Sequence, residues 1–513
     1  MSILDRINEL FSRIRGLTRG GGEEAQERQR RKGKLTARER IDTLLDDASF
    51  LETDLFVEHT ASDFGMDKKK LAGDGVITGF GRIEDRPVAV YAQDFTVAGG
   101  SLGMMHAGKI VKVMDGARDR LCPLIGINDS GGARIQEGID SLRGYGDIFF
   151  RNTLLSGVVP QVSLVLGPCA GGAVYSPALT DFVVVVEGIS NMFITGPQVI
   201  KTVLGEDVSP DELGGARVQS SVTGNAHFYA ESEQEAFDQI RRLLSYLPSS
   251  SREDPPAVPT VPPVRPLRHD IIPAQRREAF DVKDVIRGIV DDSEFLEIQE
   301  RWARNIVIGL ARLKGRVVGV VANQPRVLAG VLDVDSSDKA ARFIRFCDAF
   351  NIPIITLVDT PGYLPGVDQE HAGVIRHGAK ILYAYSEATV PKITLIMRKA
   401  YGGAYIAMCS RHLGADFLFA WPTAEIAVMG PEGAANIIFR KEIEESDDPE
   451  ATRQEKVKEY EEKFANPYVG ASRGYVDAVI EPVRTRRFLV DALDGAKRRE
   501  YGRLDRHHGN MPL

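Results

Sequence analysis

The amino-acid sequence predicts an α/β fold in two duplicated domains. Short apolar runs alternate with helical segments along the chain, its two halves resemble each other, and a proline-rich stretch lies between them. A chain of 513 residues is also too long for a single hydrophobic core.

Apolar runs such as "VAVYA" (88–92), "PLIGI" (123–127) and "VSLVL" (162–166) are rich in β-branched residues and are separated by segments of helical character. Buried strands that alternate with helices are typical of largely parallel sheets. In such sheets ligands bind where the strands end and the helices begin. A functional site is therefore expected at those strand ends.

The two halves of the chain align with each other at a nearly constant shift. Residues 74–94 align with 304–324 at a shift of 230, and this shift also pairs Asp129 with Asp359. A shift of 231 aligns the Gly-Gly pair at 171–172 with the pair at 402–403. A shift that persists over more than one hundred residues indicates a two-fold duplication, not the short period of a solenoid.

A proline-rich stretch separates the two halves. Residues 248–266 contain seven prolines in nineteen residues, a density that excludes a helix or a central strand. The sequence therefore predicts a first domain at 1–250, a linker at 251–266 and a second domain at 267–513.

Glycine pairs recur where strands are expected to end. "GPCAGGAVYSPA" (167–178) and "MRKAYGGAYIAM" (397–408) both place Gly-Gly-Ala between an apolar run and a helix. In "INDSGGARIQEG" (127–138) a strand is expected to end at Asn128, before another Gly-Gly. Backbone N–H groups at such turns can form an oxyanion hole, and glycine lets a carbonyl approach closely. For any one loop, a tight turn without a catalytic role is the simpler interpretation. The duplication of the loops in register makes that interpretation less favoured.

Other signals of catalysis are missing from the sequence. It contains no GxxxxGK[ST] or HExxH motif, and the nine histidines lie outside the glycine motifs. Two oxyanion holes without a side-chain base suit a reaction whose base comes from another molecule. Biotin-dependent carboxyl transfer is such a reaction, because the ureido anion left by carboxybiotin can remove the α-proton of an acyl thioester. One hole would then hold the enolate oxygen and the other the ureido oxygen.

The motif set resembles the carboxyltransferase (β) subunit of biotin-dependent acyl-CoA carboxylases, in the branch of propionyl-CoA carboxylase and methylmalonyl-CoA decarboxylase or transcarboxylase. The resemblance covers essentially the whole chain. It depends on "GKLTARERIDTLLD" (33–46), "NDSGGARIQEG" (128–138), "GPCAGGAVYSPALTDF" (167–182), "ITGPQVIK" (194–201), "DTPGYLPG" (359–366), "RKAYGGAY" (398–405) and "AWPTAEIAVMGPEGAANIIFRKEI" (420–443). It implies two crotonase-like domains and a homohexamer whose active sites each combine the first half of one subunit with the second half of another.

The resemblance also assigns candidate site residues. On the CoA thioester side they are Gly131, Gly132, Ala133, Gly171 and Gly172. On the biotin side they are Gly362, Tyr363, Gly403 and Ala404. Of these, Gly171, Gly172, Gly403 and Ala404 are the candidates for catalysis by their backbone amides.

One position departs from the family pattern. Two residues after Ala404, propionyl-CoA-specific members commonly have Asp, whereas this chain has Ile406, the candidate specificity residue. Acetyl-, propionyl- and butyryl-CoA all remain compatible with it. Ile406 is also compatible with the reverse reaction, in which a methylmalonyl-CoA decarboxylase α subunit or transcarboxylase unloads the carboxyl group of methylmalonyl-CoA onto biotin. A crotonase-type hydratase or isomerase and a non-catalytic acyl-CoA scaffold are the less favoured alternatives.

Cofactors and partners follow from the same resemblance. Biotin is expected on a separate carrier, since the chain has no Ala-Met-Lys-Met acceptor motif, and the partner would be a biotin carboxylase or decarboxylase complex. No metal site, nucleic-acid surface or membrane span is expected, given scattered cysteines, a net charge of −8 and no long apolar run. We expect a cytoplasmic protein. Lys32, Lys34 and Arg38 are possible phosphate contacts, and the charged segment 440–464 is expected to be a solvated helical hairpin or a docking surface.

Overall fold

Each half of the chain forms its own eight-stranded sheet in the computed structural model, which describes residues 2–275, 278–499 and 508–512. The chain divides between Glu253 and Asp254 into two units.

The first sheet has the strand order β1-β2-β3-β4-β5-β6-β8, and β7 pairs with the end of β5. The first three strands are antiparallel, and every pairing from β3 onward is parallel. The strands are β1 (Leu51–Thr53), β2 (Val76–Ile83), β3 (Arg86–Gln93), β4 (Leu124–Ser130), β5 (Gln161–Ala170), β6 (Phe182–Val186), β7 (Asn191–Phe193) and β8 (Phe228–Ala230). Strand β4 therefore continues two residues beyond the expected end at Asn128.

The helices of the first unit follow the strands or cover the sheet. They are α1 (Ile3–Thr18), α2 (Glu23–Arg30), α3 (Ala37–Leu44), α4 (Met104–Arg120), α5 (Ile139–Leu155), α6 (Tyr175–Leu179), α7 (Pro197–Leu204), α8 (Pro210–Gly214), α9 (Ala216–Ser221) and α10 (Glu233–Tyr246). Short 3₁₀ turns occupy Asp63–Lys68, Ala72–Gly75, Ala98–Gly100, Ile135–Glu137 and Gly171–Val174. Thr36 caps α3 in a capping box with Glu39, which satisfies two otherwise unpaired N–H groups.

The second sheet repeats the first, with the strand order β9-β10-β11-β12-β13-β14-β16 and β15 beside the end of β13. Its strands are β9 (Phe295–Ile298), β10 (Ile306–Leu313), β11 (Arg316–Asn323), β12 (Ile354–Thr360), β13 (Lys392–Tyr401), β14 (Phe417–Ala420), β15 (Glu425–Ala427) and β16 (Ala478–Val479). The register is irregular between Val358 and Thr360, as it is between Asn128 and Ser130 in the first sheet. Corresponding strands therefore end in the same way.

The helices of the second unit are α11 (Val282–Ile289), α12 (Val334–Ala349), α13 (Val367–Ala372), α14 (Val374–Glu387), α15 (Gly402–Ala407), α16 (Pro431–Ile438), α17 (Arg440–Glu444), α18 (Pro449–Lys463), α19 (Pro467–Ser472) and α20 (Thr485–Gly495). Its 3₁₀ turns are Asp291–Ser293, Leu328–Gly330, Arg411–Leu413 and Pro482–Arg484. Helices α17 and α18 form the expected charged hairpin, in which Lys456 pairs with Glu442 at 2.8 Å.

The burial of whole strands shows that the sheets are covered on both faces. All seven residues of β4 are buried, and so are the first seven of β5. A strand that is buried at every position belongs to a sheet with helices on either side. Helix α10, for example, buries Phe237, Ile240 and Leu244 on one face. The predicted duplicated α/β fold is confirmed.

Candidate active site

The first glycine loop, at 131–133, follows β4. The Gly131 N–H donates to the Gly99 carbonyl at 3.0 Å, and the Gly132 N–H donates to Ser130 Oγ at 3.2 Å. Both amides are therefore already engaged within the fold. Leu102 pairs with the loop from both sides of Ala133, by donating to the Gly132 carbonyl and accepting from the Arg134 N–H, each at 2.9 Å. This pairing turns the Ala133 N–H away from Leu102.

The second glycine loop, at 171–172, follows β5 and opens the 3₁₀ turn Gly171–Val174. Gly171 has a φ of +62°, a left-handed conformation that glycine adopts without strain. The N–H groups of a first helical turn have no acceptor within the helix. The Gly172 amide is thus available to a substrate oxygen, and the two loops adjoin, because a Cβ on Gly132 would lie 3.0 Å from the Ala170 carbonyl.

The second half contains the same two loops. Leu332 donates to the Gly362 carbonyl at 3.0 Å and accepts from the Leu364 N–H at 2.7 Å, which turns the Tyr363 N–H away. Gly402, with a φ of +56°, and Gly403 open α15 directly after β13. The Ala404 side chain is fully buried, whereas Gly403 is exposed. The structure therefore brings together the candidates within each half.

An aromatic ring packs beside each Gly-Gly pair, but the ring belongs to a different structural element in each half. In the first half a Cβ on Gly172 would lie 3.1 Å from the ring of Tyr145, which belongs to α5. In the second half the ring beside Gly403 is that of the loop residue Tyr363, with 4.0 Å to a Cβ on Gly403. Burial raises the pKa of Tyr363 to about 12, so its phenol stays protonated at neutral pH. The sequence prediction missed Tyr145.

A buried carboxylate lies behind each first loop. Asp129, at the end of β4, pairs with Lys34 at 2.6 Å and with Arg40 at 2.8 Å. Arg40 also binds Glu233 of α10 at 2.7 Å and is fully buried. Burial lowers the pKa of Lys34, although Asp129 opposes this. Lys34 is therefore an internal counter-ion.

Two of the three possible phosphate contacts are thus not available. Lys34 is buried against Asp129, and Arg38 makes a bidentate pair with Glu52, with N–O distances of 2.9 and 3.0 Å. Lys32 is exposed and lines a surface cavity of about 250 Å³ with Arg28 and Phe95. Gly99, whose carbonyl accepts the Gly131 N–H, lines the same cavity.

A second buried network holds the first loop from its far side. Arg134, which follows Ala133, is 2% exposed and pairs with Asp74 at 2.5 Å and Glu137 at 2.7 Å. Its guanidinium also donates to the Ser101 carbonyl at 2.8 Å. Burial raises the pKa of Asp74 against the opposing effect of Arg134. In the second half the equivalent position is Leu364, so only the first half has this anchor.

Ile406 lies on α15, three residues after Gly403, with 40% of its surface exposed. The equivalent residue after Gly172 is Tyr175, which is 47% exposed. Both halves thus present a large side chain one helical turn beyond the second glycine.

The four cysteines are buried and unpaired. Cys169 directs its thiol to the Ala173 carbonyl at 3.1 Å, and burial raises its pKa well above that of an ordinary thiol. It is therefore a structural cysteine. Among the described residues there is no cluster of three metal-ligating side chains, and none of their helices is long and apolar enough to cross a membrane.

The fold and the duplicated loops define an α/β protein with two equivalent glycine-loop sites, and comparisons with known proteins identify its family. The model of the carboxyl transferase domain matches residues 28–511. The propionyl-CoA carboxylase carboxyltransferase subunit of Haloferax mediterranei is 58% identical, with both chains covered completely. The methylmalonyl-CoA decarboxylase subunit alpha of Propionigenium modestum is 54% identical, with 99% of each chain covered.

A solved structure agrees with these relatives. The transcarboxylase 12S structure, described as a hexamer with methylmalonyl-coenzyme A and methylmalonic acid bound, superposes with a TM-score of 0.97. It is 53% identical and covers 100% of this chain and 99% of its own. The chain belongs to the carboxyl transferase domain family. The resemblance seen in the sequence is confirmed, and each half has the crotonase-like fold that it implied.

Proposed function

We propose that this chain is the carboxyltransferase subunit that moves a carboxyl group between N1′ of carrier-bound biotin and the α-carbon of a short-chain acyl-CoA. Propionyl-CoA and methylmalonyl-CoA are the favoured pair, since relatives at 58% and 54% identity are named for them. The strongest support for this proposal is the duplication of the glycine loops. In each half a Gly-Gly pair opens a helical turn directly after a strand, so its backbone N–H groups lie in the first turn. One reaction with two developing oxyanions requires two such sites.

The first half is proposed to bind the acyl thioester. The Ala133 and Gly172 amides would hold the thioester oxygen as it becomes an enolate, because the Gly131 and Gly132 amides are already bonded elsewhere. Lys32 and Arg28, beside the cavity at Phe95, are the cations that remain accessible to the CoA phosphates.

The second half is proposed to bind biotin. The residues present fit it, because Gly403 is exposed and a Cβ there would meet only the ring of Tyr363 within 4.0 Å. When bound, carboxybiotin supplies both the carbon dioxide and the base for the α-proton. The amides of Tyr363, Gly403 and Ala404 would hold the ureido oxygen, while the buried Asp359 stays paired with Arg398 and takes no part.

A homohexamer is proposed as the working form, with each active site built from the first half of one subunit and the second half of another. Helices α7 and α16, which occupy equivalent places in the two units, both leave apolar side chains exposed: Val199, Val203, Leu204, Ile437 and Ile438. Exposed apolar faces of this kind are typical of protein interfaces. The mass of the particle that the purified chain forms in solution tests this proposal. V203D or I437D should lower this mass, because each places a charge on an exposed apolar face.

The carrier and the direction of reaction depend on the partner. A biotin carboxylase partner would favour carboxylation, and a decarboxylase complex would favour unloading of methylmalonyl-CoA. The four unpaired thiols fit a reducing compartment, in agreement with a cytoplasmic protein.

The proposed function is tested by incubating the chain with methylmalonyl-, malonyl- or ethylmalonyl-CoA in the presence or absence of free biotin or a biotinylated carrier domain. Biotin-dependent appearance of the decarboxylated acyl-CoA is the expected result. Consumption of an enoyl-CoA without biotin, and of no malonyl-type substrate with it, would instead favour the hydratase alternative.

A further inference from the structure

The side chains of Tyr401 and Glu425 connect the end of β13 to the start of β15. Tyr401 is the last residue of β13, directly before Gly402, and its phenol donates a hydrogen bond to the Glu425 carboxylate. The Tyr401 ring is 5% exposed. Strand β15 has only three residues and pairs with β13 at three positions, so this side-chain bond reinforces a short ladder.

The segment after β15 forms the wall beside the second Gly-Gly pair. A Cβ on Gly402 would lie 3.1 Å from the Val428 carbonyl, and a Cβ on Gly430 would lie 3.4 Å from the Tyr401 ring. Gly402 and Tyr401 therefore pack directly against residues 428–430. Any shift of β15 relative to β13 would be transmitted to the peptide between Gly402 and Gly403.

The first half has no equivalent bond. Ala170 ends β5 where Tyr401 ends β13, and Asn191 begins β7 where Glu425 begins β15. The Asn191 amide donates instead to Asp211 at 2.8 Å. The bond between Tyr401 and Glu425 is thus specific to the half that is proposed to bind biotin.

We infer that Tyr401 and Glu425 are positioning residues that hold the Gly402–Gly403 peptide in its productive orientation. This inference rests on the proposed function for the identity of the ligand. Neither side chain needs to contact the reacting atoms. A misplacement of about 1 Å at an oxyanion-binding amide is enough to cost one or two orders of magnitude in rate.

The test compares Y401F, E425A and E425Q in the full-length chain. Y401F and E425A should lower kcat/KM for free biotin about tenfold. E425Q should stay within about twofold of wild type, because the amide oxygen still accepts the phenol proton. The Kd for methylmalonyl-CoA should not change in any variant. The matched control is Y383F, which removes another phenol-to-carboxylate bond, from Tyr383 to Glu387 within α14.

Hydrogen exchange separates this inference from the proposed function. In Y401F and E425A, peptides that cover 402–408 should exchange faster, whereas peptides that cover 171–179 should not. Unchanged exchange at 402–408 would overturn the positioning role whatever the enzyme catalyses. A wild-type chain without biotin-dependent turnover would overturn the proposed function alone. Equal losses in biotin kinetics, methylmalonyl-CoA binding and melting temperature would point to a purely structural bond.

Discussion

Asp359 and Arg398 form a buried ion pair between neighbouring strands, with 2.9 Å between carboxylate and guanidinium. The equivalent carboxylate in the first half, Asp129, has Gly167 where Asp359 has Arg398. A Cβ on Gly167 would lie 1.9 Å from Asp129 Oδ1 and 2.6 Å from Lys34 Nζ. Lys34 therefore occupies the space that the Arg398 side chain fills in the second half, and the duplicated carboxylate has changed its counter-ion.

Replacing Arg398 should lower the free energy of unfolding of the second unit. R398M leaves Asp359 buried without its main counter-ion, and a buried charge that loses its partner costs about 3 kcal/mol or more. Urea denaturation should show this loss. D359N/R398M should recover part of it, since the pair is then replaced by neutral groups. Equal stability of the single and double variants would contradict this account.

The Arg134 network predicts a defect confined to the half that is proposed to bind the acyl thioester. R134M removes the bonds to Asp74 and Glu137 that hold the segment after Ala133. We expect the KM for methylmalonyl-CoA to rise and kcat/KM to fall by about tenfold to a hundredfold, while the KM for biotin stays unchanged. The control is L364M, at the equivalent position of the second half. A parallel loss for both substrates would indicate general unfolding instead.

Much of this arrangement could be predicted from the sequence, because it depends on local signals. Apolar runs, glycine pairs and a constant shift identified the duplicated α/β fold and the loops. The pairing of Lys34 with Asp129 could not be predicted in this way, since the two residues are 95 positions apart and the interaction requires the loop between α2 and α3 to pack against β4. One signal was present: Gly167 aligns with Arg398, which indicated a missing cation. The support of Gly172 by Tyr145 had no such signal.

The adjacent glycines 402 and 403 should respond differently to alanine. G402A puts a side chain at a φ of +56° and 3.1 Å from the Val428 carbonyl, so it should lower stability by about 1–2 kcal/mol. G403A has open space and should leave the melting temperature within about 1 °C of wild type. Both should lose biotin-dependent turnover. A stable G403A with full activity would argue against the biotin side as assigned.

Ile406 predicts a tolerance for longer acyl chains. In the proposed active site this apolar side chain, 40% exposed one helical turn after Gly403, would contact an ethyl group that a carboxylate would disfavour. I406D should therefore lower the turnover of ethylmalonyl-CoA relative to malonyl-CoA by about tenfold. I375D is a matched control, because Ile375 is an exposed isoleucine at the start of α14. An unchanged ratio would remove Ile406 from the specificity residues.

A buried neutral histidine predicts how the first unit responds to acid. His106 is fully buried. Its backbone N–H donates to Asp74 Oδ2 at 2.8 Å, and its ring Nδ1 lies 2.9 Å from the Asp74 carbonyl oxygen. Burial, together with the charges of Arg134 and Lys109, lowers the pKa of His106 to about 3. The unfolded chain would bind a proton near pH 6.5, whereas the native chain does not.

Stability from this residue is therefore present above about pH 6.5 and declines as the pH falls toward 3, by about 1.4 kcal/mol per pH unit at its steepest. H106N keeps an amide donor at this position but cannot titrate. The difference in unfolding free energy between wild type and H106N, measured with urea from pH 4 to pH 8, should shrink steadily below pH 6. Because every other titratable group is common to both proteins, parallel curves would mean that the pKa of His106 is the same in the native and unfolded states.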